Sequence, residues 1–185
     1  MSDSVLFVSG TANGTQVNAG GTERVLSGGV DIGAQVNSAG VEVVSSGGVA
    51  SSATISGGTL EVASGGSTGS GAVTFTVSGG GTLRLDDSAH FGGLVAGFGQ
   101  GDLVDLRDIA FTSATTLSWT QLTSDATASG TLTVSGGGSV ANIELLGQYS
   151  VFQFTSASDG HGGTVVGATD TVAAAALSAT LAASA

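Results

Sequence analysis

Gly20-Gly21-Thr22-Glu23-Arg24-Val25-Leu26-Ser27-Gly28-Gly29 decides the fold, because the chain rewrites it around Gly40 to Gly48 and again from Gly57 to Gly66. Ser9-Gly10, Ser27-Gly28-Gly29, Ser46-Gly47-Gly48 and Ser64-Gly65-Gly66 follow one another at steps of 18, 19 and 18 residues. Two further series run in phase at steps of 19, namely Val17, Val36 and Ile55, and Glu23, Glu42 and Glu61. A unit this short cannot close a core alone, so each copy buries its apolar face against the next and the repeats form a solenoid.

Within the unit, glycines supply corners that need positive φ, and Val, Thr and Ile supply pleated walls. No 3.6-residue apolar period appears between residues 5 and 165, whereas two-residue alternation is plain in Thr82-Leu83-Arg84-Leu85 and Thr131-Leu132-Thr133-Val134. Coils of a parallel β-solenoid stack about 4.8 Å apart, so residues one period apart become columns. Val17, Val36 and Ile55 are predicted to form an inward core column, and Glu23, Glu42 and Glu61 an outward one.

These repeats resemble the strand-loop-strand repeats of bacterial autotransporter adhesin passengers, over residues 9 to 80. The resemblance implies a right-handed parallel β-helix displayed on the cell surface, with serines and threonines as acceptors of O-heptosylation. Ser27, Ser46 and Ser64 are the acceptors it would assign. The segment Gly97-Phe98-Gly99-Gln100-Gly101-Asp102-Leu103-Val104-Asp105-Leu106, with Asp159-Gly160-His161-Gly162-Gly163-Thr164, resembles the C-terminal module that follows such repeats in secreted proteins of soil bacteria. No membrane barrel of the autotransporter kind follows the repeats in this sequence.

Composition narrows the class. The 185 residues include 33 glycines with no proline, an unusual pairing for a disordered glycine-rich chain, and mean hydropathy is +0.40. The absence of cysteine excludes disulfides, thiolate metal sites and a cysteine nucleophile. Three arginines and no lysine stand against 14 acidic residues, giving a net charge of −11, so nucleic acid and anionic membranes are poor partners. Aromatic content rises abruptly after Gly79-Gly80-Gly81. The sequence therefore divides into a repeat solenoid over 1–81, an irregular β cap over 82–166, and an Ala-rich tail over 167–185. Strands in the cap are predicted near 83–85, 103–106, 116–120, 131–134, 140–146 and 151–155.

Met1-Ser2-Asp3-Ser4 lacks the basic start of a signal peptide, and no apolar run is long enough to span a bilayer. The uncharged segment from Val172 to Ala185 reads either as a frayed or helical tail or as a C-terminal export signal of the type I secretion kind.

Candidate chemistry is sparse. A glutamate column solvated on the outer face is the plainer reading, with a calcium ladder as the alternative. Asp102, Asp105 and Asp108 are candidate oxygen ligands for calcium, but the nine-residue glycine-aspartate repeat of calcium β-rolls is missing, which favours turns and dispensable calcium. Asp159 to Gly163 reads as a turn, and Asn13-Gly14-Thr15 is a weak N-glycosylation match. Arg24, Arg84 and Arg107 are scattered, and no nucleophile elbow frames a serine, so catalytic residues are not expected. The expectation is a non-enzymatic, secreted or surface-displayed solenoid that requires no cofactor. It would act as an adhesin-like or matrix-forming module, through self-association or through a glycan or protein receptor. The alternative is a carbohydrate-processing β-helix enzyme or a fragment of one.

Overall fold

The computed structural model describes residues 4–77, 79–123 and 128–169, and the Val172 to Ala185 tail lies outside the described residues. The chain is all-β and winds into a β-solenoid with three walls. The first wall stacks Ser4–Val8, Gly21–Val25, Val41–Val44, Thr59–Val62, Thr82–Leu85 and Leu103–Leu106 in parallel. The second stacks Gln16–Val17, Gln35–Asn37, Thr54–Ser56, Val73–Phe75 and Leu94–Ala96, again in parallel. The third is shorter and stacks Thr11–Asn13, Val30–Ile32 and Val49–Ser51.

The recurring Ser-Gly-Gly explains why the coil turns where it does. The Gly29 amide donates to the Leu26 carbonyl, Gly48 to Ser45 and Gly66 to Ala63, at 2.8, 2.9 and 2.8 Å. In each turn the third residue, Gly28, Gly47 or Gly65, takes φ between 74° and 78°, the pattern of a type II turn. The glycine after it answers to stacking instead. A Cβ on Gly48 would lie 2.7 Å from the Val25 carbonyl oxygen of the previous coil, and one on Gly66 would lie 2.6 Å from that of Val44.

Alternation along each first-wall strand sets the interior. Val8, Val25, Val44, Val62, Leu85 and Leu106 stand in one buried column. Val17, Val36, Ile55 and Phe75 stand in another on the second wall. Burying each such side chain contributes roughly 1.5–3 kcal/mol, and because every coil repeats the same contacts the gain accumulates along the stack.

Parallel stacking runs across Gly79–Gly81, the expected module boundary, and continues to Leu106. The coils there are longer and carry larger side chains. The stack ends by reversing direction. Thr164–Ala168 pairs antiparallel with Leu103–Leu106, and Phe154–Ser158 pairs antiparallel with Thr164–Ala168. On the second wall, Ser139–Leu146 joins Leu94–Ala96 in parallel and then folds into antiparallel pairs with Ser129–Gly136 and Thr116–Gln121. Of the expected strand over 151–155, Val151–Gln153 is a 3₁₀ turn and the strand begins at Phe154. The strands Leu94–Ala96 and Thr164–Ala168 were not anticipated.

Aromatic rings fill the end of the coil. Phe154 lies 6.4 Å from Phe98, 5.7 Å from Trp119 and 5.3 Å from Tyr149, and Phe98 lies 5.7 Å from Phe75. The Tyr149 hydroxyl donates to the Phe98 carbonyl at 2.9 Å, so its one polar atom is satisfied inside the cluster.

Candidate functional site

The turn that makes the first corner also fixes three serines in one exposed line. Ser27, Ser46 and Ser64 each hold the second position of the turn. A Cβ on Gly47 would fall 2.7 Å from Ser27 Oγ, and one on Gly65 would fall 2.5 Å from Ser46 Oγ. The hydroxyls therefore occupy space that the glycines of the next coil leave open. The result is a row of primary hydroxyls on a rigid edge, repeating at about 4.8 Å.

On the outer face of the first wall, Glu61, Arg84 and Asp105 stand in register. Arg84 bridges its neighbours at 3.0 Å to Glu61 and 3.1 Å to Asp105, and Arg107 approaches Asp105 at 3.8 Å and Asp159 at 3.7 Å. Asp105 is thus held by arginines. Asp102 is buried, and its carboxylate accepts from the Gly99 amide at 2.9 Å and the Gly81 amide at 3.3 Å. Burial raises its pKa against the opposing pull of those amides. Asp108 accepts from the Ser88 hydroxyl at 2.6 Å and the Ser88 amide at 2.9 Å. The three aspartates offered as calcium ligands are therefore engaged separately, and the structure does not bring them together. Asp159 closes the 159–163 turn by accepting from the amides of His161 and Gly163 at 2.7 and 2.8 Å.

The glutamate series is corrected more sharply. Glu23 and Glu42 are in register with each other but face the interior, with 1% and 0% exposure. Glu61 is the register partner of Val43, and Leu60 takes the place above Glu42. The turn between Val36 and Gly40 is one residue longer than its successor between Ile55 and Gly58, so a step of 19 from Glu42 overshoots the register by one residue and Glu61 takes the opposite face. In the second coil Val25 is buried and Arg24 exposed, which leaves Glu23 pointing inward by the same alternation.

One arrangement touches the enzymatic alternative. Asp87 accepts from Ser64 Oγ at 3.1 Å and lies 2.7 Å from His90 Nδ1. A hydrolytic triad needs the imidazole between acid and hydroxyl. Here the carboxylate occupies the middle, so the histidine cannot take the serine proton.

No helix among the described residues is long and apolar enough to cross a membrane. No protein-family model matches the chain, and no curated protein matches it. Among solved structures, the crystal structure of a TibC-catalyzed hyper-glycosylated TibA55-350 fragment is 36% identical over 53% of this chain, with a TM-score of 0.33. The match spans 31% of that chain.

Proposed function

We propose that the protein is a surface-displayed or secreted structural module, non-enzymatic and adhesin-like, whose serine corner carries sugars. The observation that carries this reading is the exposed row Ser27, Ser46 and Ser64, each at the second position of a type II turn and stacked coil on coil. A transferase acting along such an edge meets the same backbone geometry at every coil. The repeat resemblance to autotransporter passengers supports the same assignment.

Self-association belongs to this reading. Ser4–Val8 lies at the edge of the first wall, with Val5, Leu6 and Phe7 exposed, and another parallel strand would cover them. Receptor contact with a glycan or protein would use the outer walls.

The deciding experiment recovers the protein from its native cells, maps modified residues by mass spectrometry, and compares cell attachment with a deletion strain. Sugars on the three serines and weakened attachment are expected. An unmodified chain retained inside the cell, with attachment unchanged on deletion, would overturn the proposal.

A further inference from the structure

The interior of the first three coils contains a chemistry that the stack itself does not require. The first-wall column reads Leu6, Glu23, Glu42, Leu60, Leu83 and Val104, and the third-wall column reads Ala12, Asp31 and Ala50. Aliphatic residues thus serve at the equivalent positions of neighbouring coils. Glu23, Asp31 and Glu42 are buried, with 1%, 0% and 0% exposure, and one oxygen from each lies within 4.8 Å of the others. None of their six carboxylate oxygens has a hydrogen-bond partner. No ion pair among the described residues reaches them either.

Three buried carboxylates without donors are costly and repel one another, so something must compensate them. Either they keep protons or they close on a cation. We propose that Glu23, Asp31 and Glu42 form an internal binding site for one divalent cation, calcium in the first place. The donor set is all oxygen, which selects a hard ion, and calcium takes six to eight oxygens at about 2.3–2.6 Å. Oxygens on opposite sides of such an ion are about 4.8 Å apart, so three oxygens no farther apart than that can all reach one ion. Magnesium holds its waters and needs an octahedron at about 2.1 Å, and suits the site less well. A cavity of about 250 Å³ at the first coil has Glu23 in its wall, beside Thr15, Gln16 and Thr22, and so borders the cluster on one side. The site owes nothing to Asp102, Asp105 or Asp108, and it stands apart from the serine corner.

The test strips metal from the full-length chain and titrates it with calcium chloride, with magnesium chloride for comparison. Native mass spectrometry reads stoichiometry, calorimetry reads affinity, and melting reads stabilisation. One calcium per chain is expected, with protons released on loading because the carboxylates must ionise. Asp31→Ala and Glu42→Leu copy residues already present in the same columns, and each should weaken calcium binding by at least about a hundredfold. Glu42→Gln keeps the shape and replaces the leucine variant if that fails to fold. Two results overturn the proposal: no calcium bound by the wild type at millimolar concentration, which would leave protons as the compensating species, or binding retained in the folded variants, which would place the ion elsewhere.

Discussion

Leu60 stands directly over Glu42 in the first wall. Between these two residues the interior changes from carboxylate to hydrocarbon, and a turn one residue shorter makes the change. The same slip carries Glu61 outward to meet Arg84 at 3.0 Å. A buried unpaired acid and a half-buried ion pair on the outer face therefore trace to a single missing residue at one corner.

Replacing Glu42 by leucine in metal-free buffer should stabilise the fold by about 1–4 kcal/mol, since well-packed apolar groups outperform buried charge. Val36→Asp, in the neighbouring column at 0% exposure, should destabilise it by more than about 4 kcal/mol. Urea denaturation followed by circular dichroism compares them. A destabilised leucine variant would mean that the carboxylate is held by something in the apo protein.

Stability of the metal-free protein should fall as pH rises. Burial, with Asp31 adding to it and Thr15 opposing it, pushes Glu23 up to about 7. Burial, then the charges of Glu23 and Asp31, pushes Glu42 up to about 8. The folded state therefore binds more protons than the unfolded chain. Its stability is complete below pH 4.5 or so and drains away through pH 7 to 8, by an amount on the order of a few kcal/mol. Urea midpoints at pH 5 and pH 8.5 in chelator should show the drop, and Glu42→Gln should flatten it. Saturating calcium should remove the dependence, because the ion binds the ionised form. A flat profile in chelator would contradict the burial of these acids.

Gly48→Ala should cost about 2 kcal/mol or more, since its methyl group would press on the Val25 carbonyl oxygen at 2.7 Å. Ser46→Ala, two residues earlier and exposed, should stay within about 0.5 kcal/mol. Thermal melts of the pair decide the matter, and equal tolerance would show that the coils are not in contact at this corner.

Phe154→Ala should cost about 3–5 kcal/mol by emptying the space among Phe98, Trp119 and Tyr149. Tyr149→Phe should cost only about 1 kcal/mol, the worth of its bond to the Phe98 carbonyl. Trp119 is the sole tryptophan and reports on the cluster by fluorescence. An unchanged emission spectrum in Phe154→Ala would place the ring elsewhere.

The stack was legible because glycine corners and β-branched walls repeat in phase, and a unit of this size has no other way to bury its apolar face. The spacing of Glu23 and Glu42 also gave their register. Their direction was misread because acids belong outside by default. A signal was present, since Ser46 to Ser64 is a step of 18 whereas Glu42 to Glu61 is one of 19, and two such columns cannot both stay in register. Asp31 carried no repeat signature at all, and only the closed coil brings it to the glutamates. The aromatic ending was visible in composition. Its antiparallel reversal was not, because alternation reads the same in parallel and antiparallel strands.

Arg84 and Arg107, two of the three arginines, are both committed to the ladder of Glu61, Asp105 and Asp159. That leaves Arg24, with no lysine, to balance the remaining exposed carboxylates. At long range the molecule behaves as a polyanion wrapped in a counterion cloud, about 10 Å thick at 0.1 M salt. Neighbouring copies crowded on one surface would hold each other at a distance in dilute media and close ranks as ionic strength rises, so the spacing of such a layer would follow the salinity of its surroundings.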